Sequence, residues 1–375
     1  MIELKSFFEN LDSKGVNFYT GVPDSLLKSI SAYLFDNYPG EKHIIASNEG
    51  ASVGLASGYY LGTGQVPIVY MQNSGIGNAV NPLLSLADQD VYSIPMILFV
   101  GWRGEPGVKD EPQHVKQGKV SKDLFDAMQI PCEIMSADTV EANSQVNRAL
   151  VECQKNSSPY VFLIKKGTFE DYSLTSQDAV NTYPEREDAI EKVVDHIEKE
   201  SVVVSTTGKI SRELFEIREK HHTGHDKDFL TVGSMGHASQ IAMGVAMSCP
   251  QKNVYCFDGD GAIIMHTGSF GIIAAADCTN LKHIVFNNGA HDSVGGQPTI
   301  GFDIDFGQIA KGFGYKRSFI AESMEGLNAV LPEFIESEGP SLLEVRVKKG
   351  ARKDLGRPTT TPIENKENLM EFLKK

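Results

Sequence analysis

Residues 254–293 read VYCFDGDGAIIMHTGSFGIIAAADCTNLKHIVFNNGAHDS, and the order of apolar runs and turns in them decides the fold. The run Val254–Phe257 has the composition of a buried strand and delivers Gly259-Asp260-Gly261 to its carboxyl end. The glycines allow close backbone approach, and a helix start beyond them offers free N–H groups to a phosphate. A second strand, near 282–287, ends in Asn287-Asn288. Asp260 and Asn288 are 28 residues apart, the span of one strand–helix–strand crossover, which brings a carboxylate and an amide oxygen to neighbouring strand ends. Oxygen ligands beside a phosphate site are what Mg²⁺ prefers. Either motif alone is only a tight turn; the interval and the strand context give the pair its chemistry.

The same alternation extends in both directions. Strands are expected near 17–20, 43–46, 67–71, 96–100, 132–135 and 160–164, then near 202–205, 229–231, 253–257, 282–287 and 342–347. Helical patterns fill most of the intervals, so the fold class is α/β: two doubly wound, mostly parallel-sheet domains. Residues 167–184 are polar and aperiodic and end in a proline. The expected bounds are 1–170 and 185–350, with a linker at 171–184. A basic, proline-containing tail follows at 351–375, solvated by composition, with a short helix at 363–374.

Composition narrows the partners. The 375 residues are 41% hydrophobic and 22% charged, which suits globular cores. A net charge of −14 argues against nucleic acid, whose binding rests on a basic surface, but leaves room for a small anion at a locally basic site. The longest apolar run, Ile94–Trp102, is far short of the twenty or so residues that span a membrane. The N-terminus has no apolar core of a leader. Five cysteines without a CxxC speak against a disulfide framework, a zinc knuckle or an iron–sulfur cluster, and a cytoplasmic protein is expected.

Gly259-Asp260-Gly261-Ala262 paired with Asn287-Asn288 resembles the diphosphate and metal motif of thiamine diphosphate (ThDP) enzymes. That resemblance implies ThDP and Mg²⁺ as cofactors, the metal held by Asp260, Asn288 and the backbone carbonyl of Ala290. It extends over roughly residues 15–350. Ser47-Asn48-Glu49-Gly50-Ala51 opens a small-residue helix as in that family, implying that Glu49 meets the aminopyrimidine ring. Asn73-Ser74-Gly75-Ile76-Gly77-Asn78 looks like the glycine loop beside the cofactor. Gly233-Ser234-Met235 looks like the segment that bends it, and Thr207-Gly208-Lys209 lies where the family places a further diphosphate contact. The family builds its site from the first domain of one subunit and the second domain of another, which implies a homo-oligomer.

The middle domain of larger family members is missing, and this two-domain order resembles the sulfopyruvate and phosphonopyruvate decarboxylases. Their resemblance implies non-oxidative decarboxylation of a small anionic 2-oxo acid, phosphonopyruvate or sulfopyruvate. A redox subunit handing electrons to iron–sulfur clusters is the distant alternative. Val294 stands where pyruvate decarboxylases carry a glutamate, which points away from pyruvate and leaves His291 and Ser293 as local polar candidates. Trp102–Lys119 is expected to be a loop at the end of the fourth strand, with Arg103, His114 and Lys119 as candidate anion ligands. His114 also suits proton relay, because imidazole changes charge near neutral pH. Asp24, in the turn Thr20-Gly21-Val22-Pro23-Asp24, is either a helix cap or a proton-shuttling acid. Asp354-Leu355-Gly356-Arg357 resembles the phosphonopyruvate branch and implies a lid-like tail with Arg357 toward substrate.

Overall fold

The structure, a computed structural model, describes residues 1–38, 40–175 and 182–374. Residues 176–181, inside the expected linker, lie outside the described part. The chain divides into two compact units, Met1–Asp178 with Val294–Gln297, and Ala179–Ser293 with Pro298–Lys375.

In the first unit the chain runs α1 (Leu4–Ser13), β1 (Tyr19–Gly21), α2 (Lys28–Asn37), β2 (His43–Ile45), α3 (Glu49–Thr63) and β3 (Ile68–Gln72). It continues through α4 (Ile76–Pro82), β4 (Ile97–Gly101), α5 (Pro112–Ala127), β5 (Cys132–Ile134), α6 (Thr139–Asn156) and β6 (Tyr160–Ile164). The strands pair in the order β2-β1-β3-β4-β6-β5, every pair parallel. Strands covered on both faces read as continuous apolar runs, and Ile68–Met71 and Ile97–Val100 are buried in this way. Helix α1 was not among the expected elements. Its Leu4, Phe7, Phe8 and Leu11 follow the spacing of one helical face and lie in the core, each contributing roughly 1.5–3 kcal/mol of burial.

The second unit holds α7 (Arg186–Val194), β7 (Val202–Ser205), α8 (Lys209–His221), β8 (Asp228–Leu230), α9 (Ala238–Ser248), β9 (Val254–Gly259) and α10 (Asp260–Met265). Next come α11 (Ser269–Ala275), β10 (Leu281–Asn287), α12 (Phe306–Phe313), β11 (Arg317–Ala321), α13 (Met324–Glu336), β12 (Ser341–Arg346) and α14 (Pro362–Leu373). Its order is β11-β12-β10-β9-β7-β8, again parallel throughout. Strand β11 is an unexpected addition: it is a half-exposed edge that begins with arginine, so no apolar run announces it. A buried pair, Arg218 with Asp228 through two 2.9 Å bonds, ties α8 to β8.

The tail departs from the solvated segment that its composition suggests. Helix α14 starts on a Thr361/Glu364 capping box with Pro362 in the first turn, and buries Leu369 and Phe372. Asn365 accepts from the Leu230 N–H at 3.0 Å and donates to the Asp228 carbonyl at 2.8 Å. A few apolar anchors in a charged stretch are enough to dock it.

In each sheet the chain switches from one side of the unit's first strand to the other, between β1 and β3 in the first unit and between β7 and β9 in the second. Such a switch point opens a crevice at the carboxyl ends of the strands.

Candidate active site

In the first unit, Asp24 follows β1 and is fully buried. Its Oδ1 accepts from Gln72 Nε2 at 2.5 Å and its Oδ2 from the Leu26 N–H at 3.0 Å. Burial raises its pKa, partly opposed by the Gln72 hydrogen bond and the charge of Arg103. Gly101, the last residue of β4, approaches so closely that a Cβ there would collide with Asp24 Oδ2. Ser74 Oγ donates to Gln72 Oε1 at 2.7 Å, which links the glycine loop to Asp24.

Glu49 is the first residue of α3, whose start is set by Asn48 accepting from the Ala51 N–H at 2.9 Å. The Glu49 carboxylate is buried; Oε2 accepts from Asn78 Nδ2 at 2.8 Å, and Oε1 is directed at Gly75. A Cβ on residue 75 would overlap Oε1, so the glycine is required by close approach.

Arg103 donates from Nε to Asp110 Oδ2 at 2.8 Å, pairs through Nη2 with Oδ1, and donates from Nη1 to Ser25 Oγ at 2.7 Å. This guanidinium holds the Asp110 carboxyl at a pKa of about 2. Asn73 fixes the Arg103 backbone from both sides, accepting its N–H at 3.1 Å and donating to its carbonyl at 2.8 Å. The expected loop ends early, because α5 begins at Pro112, a residue suited to a first helical turn. The buried face of α5 is His114, Gly118, Ser121 and Phe125; its first two turns have no apolar periodicity, so the helix was expected only near 119–129. His114 is therefore a buried helix residue; its Nδ1 has no hydrogen-bond partner among the described residues. Burial first, and Arg103 second, lower its pKa. Lys119 is exposed and lies off that buried face.

In the second unit, Asp260 opens α10 and is 2% exposed. Its pKa is raised to about 6 by burial, against hydrogen bonds from the Thr299 hydroxyl and the backbone of Asn288 and Gly261. The two asparagines divide the work. Asn287 is structural, its Nδ2 donating to the Gly301 carbonyl at 2.7 Å and to Glu344 Oε1 at 2.8 Å. Asn288 stands beside Asp260, its Oδ1 accepting from the Ala290 N–H at 3.1 Å. A Cβ on Gly301 would lie 2.6 Å from both Asp260 Oδ2 and Asn287 Oδ1.

Met235 and His291 converge on Gly261: a Cβ there would sit 3.4 Å from Met235 Cε and 3.6 Å from His291 Nδ1. Burial lowers the His291 pKa to about 4, which makes it a neutral hydrogen-bonding group. Ser234, with φ 53°, and Gly236, with φ 85°, give the Gly233–Gly236 segment its tight course. Gly208 caps α8 with φ 103°, and Ser293 Oγ lies 3.3 Å from where its Cβ would be. Thr206 Oγ1, beside Thr207, is buried without a hydrogen-bond partner among the described residues. Gly259 and Ala262 flank the Asp260 turn, and Arg357 is an exposed residue just beyond the docked Leu355.

Several contributors were given no individual role from the sequence: Gln72, Asn73, Asn78 and Asp110 in the first unit, and Lys209, Arg186, Asp292, Thr299 and Gly301 in the second. Asn73 and Asn78 lie inside the quoted glycine loop. Asp110, Lys209 and Asp292 also lie inside stretches singled out above; the rest carry no motif and gain meaning only from their partners.

The residues fit both expected cofactors. Asp260 is a buried carboxylate whose hydrogen-bond partners are uncharged, and with oxygen donors at Asn288 and Ala290 it suits a hard divalent cation. The glycine-lined turn at Gly259–Gly261, the orphaned Thr206 hydroxyl and the α8 N-terminus have the chemistry that would suit a diphosphate.

Residues 4–130 match the N-terminal TPP binding domain of thiamine pyrophosphate enzymes, and residues 206–345 match the C-terminal TPP binding domain. Fold and sites thus define a two-domain enzyme of the thiamine diphosphate (thiamine pyrophosphate) class, with no middle domain. The chain is 32% identical over 388 residues to the phosphonopyruvate decarboxylase of Streptomyces viridochromogenes, covering all of this chain and 95% of that protein. It is 32% identical over 389 residues to the phosphonopyruvate decarboxylase of Streptomyces hygroscopicus, covering 99% and 94%. The sulfopyruvate decarboxylase of Methanosarcina acetivorans is 26% identical over 366 residues, covering 91% and 90%. The chain belongs to the phosphonopyruvate decarboxylase family of thiamine pyrophosphate enzymes.

Proposed function

We propose that this chain is a carboxy-lyase that converts 3-phosphonopyruvate to phosphonoacetaldehyde and CO₂ without oxidation, using thiamine diphosphate and Mg²⁺. The observation that carries the reading is full-length 32% identity to two phosphonopyruvate decarboxylases, against 26% to a sulfopyruvate decarboxylase.

When bound, thiamine diphosphate supplies the electron sink for loss of CO₂. Asp260, Asn288 and the Ala290 carbonyl would hold Mg²⁺, and Thr207, Gly208, Gly259, Gly261 and Ala262 would receive the diphosphate. Gly233, Ser234 and Met235 would set the bend of the cofactor, with Ser74 and Gly75 beside its ring. Glu49 exchanges a proton at Oε1, since Asn78 occupies Oε2. Asp24, whose burial favours the protonated form, and His114, whose burial favours the neutral one, would carry protons. Arg103, Lys119, His291, Ser293 and Arg357 are the proposed substrate contacts. Arg103 supplies charge, while neutral His291 supplies a hydrogen bond.

We assign residues 1–170 to pyrimidine binding and 185–350 to diphosphate binding, joined by 171–184 and followed by the tail 351–375. The working form is a cytoplasmic homo-oligomer in which two chains complete each cofactor site. No described helix is long and apolar enough to cross a membrane.

The test is CO₂ release from phosphonopyruvate and sulfopyruvate in parallel, with ThDP and Mg²⁺ added. Preference for phosphonopyruvate, abolished by chelation, is expected. Preference for sulfopyruvate would keep the chemistry and overturn the substrate, and release from neither would overturn the decarboxylase reading.

A further inference from the structure

Loop 288–293 carries Asn288, Ala290 and His291, and the bridge between Ala290 and Pro298 ties its base. Its far end is held by one side chain. Asp292 Oδ2 accepts from Lys209 Nζ at 2.9 Å, from Arg186 Nη1 at 3.3 Å and from the Gly350 N–H at 3.2 Å. Those donors come from three places in the second unit: the first turn of α8, the first residue of α7, and the chain leaving β12. Arg186 closes the arrangement, donating from Nη2 to the Gly350 carbonyl at 3.0 Å and gripping Glu213 through two bonds of 2.7 and 2.8 Å. Arg186 and Glu213 are almost fully buried, while the Asp292 side chain is 12% exposed.

Two cations and two carboxylates cancel, which is what makes such burial tolerable. The two ends of the network differ in what they touch. Glu213, on α8, is hydrogen-bonded through its side chain only to Arg186 among the described residues, whereas Asp292 belongs to the loop that presents the proposed metal ligands. Lys209 immediately follows Gly208, the α8 cap, and Ser293 packs on that same glycine. The Asp292–Lys209 pair therefore spans the proposed diphosphate site from its metal side to its helix side.

We infer that Asp292 is a positioning residue: its carboxylate fastens the loop Asn288–Ser293 to the N-terminus of α8 and sets the separation between the metal ligands and Thr207-Gly208. This rests on the cofactor reading above. Outer partners that orient ligands typically contribute 10–100-fold to metal affinity.

The experiment is calorimetric titration of the full-length chain with thiamine diphosphate at saturating Mg²⁺, alongside steady-state kinetics. Asp292→Asn should bind the cofactor about tenfold more weakly or worse, with kcat largely recovered at saturating cofactor. Asp292→Glu, which keeps the charge, should recover part of the affinity. Glu213→Gln should lower Tm and leave cofactor affinity within about twofold of wild type, because the loop keeps its Lys209 and Gly350 contacts. Wild-type or tighter binding by Asp292→Asn overturns the inference, as does equal weakening in Glu213→Gln. Should the wild-type chain itself bind no thiamine diphosphate, the cofactor reading falls first and this inference with it.

Discussion

Glu49 and Gly75 are in direct contact: the carboxylate Oε1 occupies the space that any side chain at residue 75 would need. A residue read as part of the glycine loop beside the cofactor is thus also a seat for the proposed proton-exchanging acid. Gly75→Ala should push the carboxylate off its site and lower kcat toward the level of Glu49→Gln, itself down about 10²–10⁴-fold. Steady-state decarboxylation of both variants, with cofactor binding measured separately, checks this. Near-normal turnover in Glu49→Gln with cofactor bound would remove Glu49 from the chemistry.

Gly301 stands in the same relation to Asp260. An alanine there would press on Asp260 Oδ2 and Asn287 Oδ1 together. Gly301→Ala and Asp260→Ala should both weaken Mg²⁺-dependent thiamine diphosphate binding, by at least about tenfold. Titration calorimetry reads the effect directly. Unchanged affinity in Asp260→Ala would take Asp260 out of the metal site.

Arg103 is already paired with Asp110 and yet faces the Asp24 network. If it meets the substrate anion, Arg103→Met should raise KM for phosphonopyruvate by about 10–100-fold, the worth of one charge-assisted bond, with a smaller change in kcat. A KM equal to wild type would leave Arg103 as the tie between Asp110 and the end of β4.

His43 provides a pH test of the first unit. It is buried against Tyr70, with Nε2 at 2.8 Å from the tyrosine hydroxyl, and burial lowers its pKa to about 4 from an ordinary value near 6.5. The folded state therefore binds its proton less readily than the unfolded state. The stability due to neutral His43 is whole above pH about 6.5 and is lost as pH falls toward 4, by roughly 3 kcal/mol. Urea unfolding followed through Trp102, the single tryptophan and a residue of the same unit, should show this acid-dependent loss. His43→Gln should flatten it, and parallel wild-type and variant curves between pH 7 and 4 would refute the assignment.

Much of the architecture was legible because parallel strands buried on both faces must be continuous apolar runs, and Ile68–Met71 and Ile97–Val100 are such runs. Where burial is not apolar the reading failed. Helix α5 was expected only from about residue 119, because its first turns bury His114 and Gly118, and β11 is an edge with little to bury. The docking of α14 rests on Leu369, Phe372 and one asparagine within a charged segment.

The chain's own order of residues determined the two α/β halves and the places where glycine, aspartate and asparagine end strands, since those are consequences of local pattern and spacing. Only tertiary structure decided that Asn287 ties Gly301 to Glu344, that Glu49 rests on Gly75, and that Asp292 gathers donors from three segments. The reason is physical: backbone preference and hydrophobic period act over a few residues. A buried carboxylate is defined by its partners, and in this fold they come from distant parts of the chain.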